Sequence, residues 1–136
     1  MVLPKALLPC RVKKAASRAA LARAEKQLKF EIPDDYKEAL LESDGFEGFI
    51  GDGDYVQLWP AAKLASLNRA YDARSIVPDG VLLGSNGGGE GYWLRKKRGR
   101  LEYVLIPFSG GEEADAIKLG TTFSGFIKKL GVGAFP

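Results

Sequence analysis

Half of the stretch GSNGGGEGYW, residues 84–93, is glycine: Gly84, Gly87, Gly88, Gly89 and Gly91. A glycine-rich turn between apolar segments can cradle a phosphate on its backbone N–H groups, so this run is the first place to look for nucleotide chemistry. A Walker loop needs lysine and a hydroxyl residue directly after its second spaced glycine. Gly84 and Gly89 have the spacing, but Glu90 follows and its charge would repel the β- and γ-phosphates. The dinucleotide pattern, glycine at i, i+2 and i+5 ahead of a helix, has no match here, and YWLR after the glycines reads as a strand. What remains is a backbone role: a strand, a turn needing positive φ at Gly88 or Gly89, and a second strand that begins with an acid.

Other catalytic constellations are excluded by composition. The 136 residues include no histidine, which removes Ser-His-Asp and Cys-His catalysis, imidazole acid–base chemistry and nearly every zinc site. Cys10 is the single cysteine and has no histidine to activate it. The GDGD segment, with Asp52 and Asp54, lacks the EF-hand spacing and the closing glutamate, so no metal site is expected. Nothing points to a cofactor or to a catalytic residue, and the chain reads as a non-enzyme. Asn86 and Glu90 form a polar pair on the glycine turn with no evident packing role. Together with Asp52, Asp54, Asp79 and Tyr92 they are the expected partner-binding residues.

Charge is unevenly distributed. Residues 1–29 carry a net +7, residues 30–94 a net −8, RKKRGR at 95–100 adds +5, and the remainder has −1. An acidic middle of that size is expected to form a negative face that attracts a basic protein surface. The alternative is nucleic-acid binding through the basic N-terminal helix with Arg18 and Arg23, Lys13 and Lys14 just before it, and the 95–100 hairpin. A solvated reading outweighs it there, because the acidic middle would oppose a polyanion.

These residues need elements to position them. Length and composition fit one domain, residues 15–136, preceded by a lead-in at 1–14 that carries Pro4 and Pro9 and has no convincing cleavage site. No charge-free run exceeds ten residues, so no membrane span is expected; the chain reads as soluble and cytoplasmic, a monomer or weak dimer. Apolar spacing predicts a helix over Ala15–Leu28 and a second opened by Pro33, with Tyr36 and Leu40 inward and Gly45 at its close. YVQLW alternates as a strand. A third helix opens at Pro60, with Leu64, Leu67 and Tyr71 on its core face. VLLG, YWLR and LEYVLIP read as strands, the last covered on both faces, with Arg98-Gly99 as the turn before it. A closing helix, capped by Thr121 or Thr122, carries the stripe Phe123, Phe126, Ile127, Leu130.

The segment IPDDYKEALLESDGFEG resembles the SUKH superfamily, which includes the Smi/Knr-type domain. WPAAKLASLNRAY, VPDGVLLGSNGGGEGYWL, VLIPF and TTFSGFIKKL follow in that family's order, covering about Ala15 to Leu130. Two departures stand out: Arg95 and Lys96 where many members have an aspartate, and Asp44 where asparagine is expected before glycine. The resemblance implies an α+β domain in which about four helices pack around a mainly antiparallel curved sheet, with no enzymatic activity. It also implies action through protein contacts. Bacterial members are largely immunity proteins that neutralise cognate toxins, often nucleases; fungal members regulate cell-wall synthesis.

Overall fold

The computed structural model describes residues 11–12, 14–50, 53–109 and 112–133. Cys10, Lys13 and Asp52 lie outside them. Seven strands form one sheet in chain order, β1 to β7, every neighbouring pair antiparallel. They are β1 (Arg11–Val12), β2 (Phe46–Phe49), β3 (Tyr55–Leu58), β4 (Gly80–Ser85), β5 (Glu90–Lys97), β6 (Arg100–Pro107) and β7 (Ile117–Gly120). The sheet curls into a half-barrel, and register shifts at Leu82/Gly84 and Tyr103/Val104 add local bends. Against it lie α1 (Arg18–Leu28), α2 (Asp34–Glu42), α3 (Ala61–Ala70), the one-turn α4 (Ala73–Ile76) and α5 (Phe123–Val132). The α+β architecture agrees with the sequence expectation, down to four helices of more than two turns. Arg11–Val12, inside the stretch read as a lead-in, belongs to the sheet edge.

Residue types explain the elements. Ser17 caps α1 by accepting from the Ala20 N–H at 3.0 Å, and Leu21, Ala24 and Leu28 give it a buried stripe. Proline precedes α2 and α3, at Pro33 and Pro60, where a missing N–H costs nothing. Thr122 caps α5 through Gly125 N–H at 3.0 Å. In the middle of the sheet, strands β4, β5 and β6 are each buried over four or more successive residues, so both faces are covered.

Several acids of the negative middle stretch are internal fasteners, so they contribute less to the expected negative face than their number suggests. Asp35 accepts from Tyr36 N–H at 2.8 Å and from Phe123 N–H at 2.7 Å, so one carboxylate ties the start of α2 to the start of α5. Asp44 accepts from Ala61 N–H at 2.7 Å at the start of α3, where a negative charge complements the helix dipole. Glu47 accepts from the Tyr55 hydroxyl at 2.8 Å. The negative charge left for a partner is therefore smaller than the sequence sum.

Candidate partner-binding surface

The glycine run is the β4–β5 turn, and Asn86 organises it. Its side-chain carbonyl accepts from Gly88 N–H at 2.9 Å and from Glu90 N–H at 3.2 Å, while its amide donates to Glu90 Oε1 at 2.7 Å. Ser85 Oγ accepts from Gly87 N–H at 3.2 Å. The polar pair Asn86 and Glu90 thus has a structural use: it closes the loop on itself, leaving the three glycines exposed. Positive φ occurs at Gly87 (74°) and Gly89 (100°), and Gly88 lies outside that region. A Cβ at Gly88 would make ordinary contacts, the nearest at 3.5 Å to Asn86 Oδ1. Gly89→Val should therefore lower stability by more than about 1 kcal/mol, since β-branched residues tolerate positive φ poorly, whereas Gly88→Ala should melt within about 0.5 kcal/mol of the parent. Thermal unfolding of the two variants checks the contrast.

Two aromatic groups flank this turn. On one side the exposed Phe49 ring meets Tyr55 edge-on at 5.2 Å, and a Cβ at Gly87 would lie 3.4 Å from the Tyr55 ring. On the other side Phe108 N–H donates to the Gly89 carbonyl at 2.9 Å. The Phe108 ring stacks on Tyr71 at 4.6 Å, and Tyr71 stacks on Trp59 at 5.7 Å. Tyr71 is 42% exposed and Phe49 62%. Beside the Trp59 and Tyr71 rings lies a groove of about 340 Å³, lined also by Gln57, Lys63 and Ser85 among others. Register explains the gathering: Phe49 is opposite Tyr55 and Gln57 is opposite both Glu47 and Ser85, so these side chains share one face of the sheet.

The other expected contact residues divide. Burial pushes the Tyr92 hydroxyl well above the ordinary tyrosine range, and the charges of Asp54 and Glu90 push it the same way. Tyr92 itself is corrected: the side chain is fully buried, its hydroxyl donating to the Tyr55 carbonyl at 2.7 Å and its ring edge-on to Phe126 at 5.6 Å. It belongs to the core because it shares a strand face with Leu94. Asp79 is exposed but stands at the opposite end of β4, roughly 20 Å away at strand rise, where its carbonyl accepts from Lys96 N–H. Tyr71 is the residue that the sequence placed inward and the structure places on the surface. It follows the last residue of α3, beyond the buried stripe of Leu64, Ala65 and Asn68.

A family model, SMI1/KNR4 (SUKH-1), matches residues 15–129. The chain belongs to the SMI1/KNR4 family. No curated protein matches it. The segments that carry the SUKH-1 resemblance have definite mechanical roles in this fold. IPDD supplies Asp35, the α2–α5 fastener; SDG supplies Asp44 and also Gly45, whose φ of 106° and close approach to the Leu58 carbonyl exclude a side chain. The departure at Arg95 is not an exposed charge. Arg95 is buried, donating to Glu102 Oε2 at 3.1 and 3.3 Å and reaching Glu113 Oε2 at 3.5 Å. The basic hairpin of this SUKH-1 domain is therefore Lys96, Lys97, Arg98 and Arg100, all exposed.

Among the described residues no helix is long and apolar enough to cross a membrane, and no group of three or more acidic or thiol side chains is arranged to hold a metal ion.

Proposed function

We propose that this SUKH-1 domain is a non-enzymatic protein-binding module, an immunity protein that neutralises a basic toxin domain such as a nuclease. The observation that carries the reading is the rigid glycine turn set between Phe49/Tyr55 and Tyr71/Phe108. Exposed aromatic rings already held by stacking lose little freedom on binding and are the usual anchors of a protein interface. Asp54 and Glu90, near the turn, add negative charge against Lys63 of the groove, which suits a cationic partner. An inhibitor of a nuclease needs no catalytic group, only a surface that occupies the basic cleft more favourably than nucleic acid does. The absence of histidine from the chain is in keeping with this.

The test is to seek a basic toxin domain encoded beside this chain's gene and co-express the two: growth should be restored, and the purified pair should bind with an association rate that falls as salt rises. Tyr71→Ala should weaken that binding by about 2 kcal/mol, roughly thirtyfold. Charge reversal of Asp52, Asp54 and Glu90 together should slow association and flatten its salt dependence. Wild-type affinity in Tyr71→Ala together with a wild-type rate in the triple variant would remove the interface from this surface.

A further inference from the structure

The tip of the β5–β6 hairpin breaks two local rules. Lys97 and Arg100 stand directly opposite one another across the strands, so two like charges share a face where opposite charges or apolar pairs are favoured. Between them Arg98 adopts the left-handed conformation, φ 52°, ahead of Gly99 at 76°. That is the first central position of a type I′ turn, which favours asparagine, aspartate or glycine. The preceding cross-strand pair on the same face, Arg95 with Glu102, obeys the charge rule. Among the described residues no carboxylate lies within 4.0 Å of Lys96, Lys97, Arg98 or Arg100. Where a sequence departs from local preference without a compensating contact, the departure points to function.

We propose that this hairpin tip is a second, separate binding surface, a cationic β-ribbon that contacts the phosphate backbone of double-stranded DNA without reading bases. The ligand class follows from what the tip has and lacks. It carries four exposed cations and no exposed aromatic or aliphatic anchor, and protein interfaces are poor in lysine and built around such anchors. Phosphate binding needs only the cations. A two-stranded ribbon has the width that the major groove of B-form DNA admits. The acidic turn is remote, since β5 separates Glu90 from Lys97 by roughly 23 Å at strand rise, about three Debye lengths at physiological salt. The acids nearer the tip, Glu31, Asp34 and Asp79, lie on the side of Lys96 and Gly99, so Lys97, Arg98 and Arg100 are the cations placed to lead the contact. The inference is independent of the glycine-turn surface and of any toxin.

The experiment titrates a fluorescein-labelled 20-base-pair DNA duplex of random sequence with the full chain at 50 and 200 mM salt. Four phosphate contacts predict that affinity falls about 150-fold across that range. The double variant Lys97→Thr/Arg98→Asn gives the turn its preferred residue and removes the like-charge pair, so it should melt at the same temperature as the parent or higher. Its two remaining contacts predict a loss of only about 12-fold. Absence of binding at 50 mM, an unchanged salt dependence in the variant, or equal competition by poly-glutamate would overturn the proposal. A lower melting temperature in the variant would do so as well, since the tip would then be structural.

Discussion

Phe126→Ala is expected to remove about 3–5 kcal/mol of stability, the range for truncating a buried phenylalanine. The ring is fully buried and lies flat on Tyr103, with centroids 4.8 Å apart and planes 5° from parallel; it meets Tyr92 and Phe123 edge-on at 5.6 and 6.2 Å. It is the point where α5 joins the middle of the sheet, and the helix depends on that contact. Gly125 and Gly131 lie within its ten residues, so intrinsic helix propensity contributes little and the apolar stripe must hold it. A domain of this size has a total stability of about 5–15 kcal/mol, so the variant loses about a fifth of it or more. Urea unfolding followed by far-ultraviolet circular dichroism reads this as a lower midpoint at unchanged slope. A loss under about 1 kcal/mol would place α5 outside the core and contradict the packing described here.

The parts of the fold legible in the sequence are those whose signal is local and repeated. The stripe Phe123, Phe126, Ile127, Leu130 carries a helical period and LEYVLIP is an apolar run on both faces, and both elements stand where those signals put them. Strand β2, FEGF, is not legible in the sequence because four residues with a central glycine show no clear alternation, nor is β7, IKLG, which has one buried side chain. The glycine run yielded its strand–turn–strand plan by elimination, but which glycine takes positive φ depends on how Asn86 folds over the turn. Tyr92 and Arg95 were legible and misread. Strict alternation along GYWLR places Tyr92 with Leu94 and Arg95 with Trp93, and two faces covered by helices and loops leave neither side chain outside. Asp35 could not be found by pattern, because its second partner, Phe123, lies 88 residues away.

The basic departure at Arg95 leads to the other large effect. Arg95 and Glu102 are opposite one another on β5 and β6, with side chains only 8% and 15% exposed, and Glu113 and Lys118 extend the pair at 3.5 and 3.6 Å. Replacing both partners by apolar residues could be nearly neutral, since desolvation offsets much of the attraction, but removing one leaves the other charged and poorly solvated. Glu102→Ala should accordingly cost about 3–5 kcal/mol, because Glu113 is further from Arg95 and 39% exposed. The same geometry gives the pair a pH signature. Burial pushes the Glu102 carboxyl upward, but the hydrogen bonds and charges of Arg95 and Lys118 outweigh it and hold the group below the ordinary glutamate range. A group whose folded pKa is depressed contributes its stabilisation in full above the unfolded value, about 4.3 for glutamate, and loses it as pH falls through the folded value. Wild-type stability should thus decline below about pH 4.3, and Glu102→Ala should decline less over the same interval while starting lower at neutral pH. Guanidinium unfolding at pH 7, 5, 4 and 3 measures both curves. Parallel curves separated by a constant amount would show that Glu102 acts through packing alone, and coincident curves would show that the ion pair adds nothing to the fold.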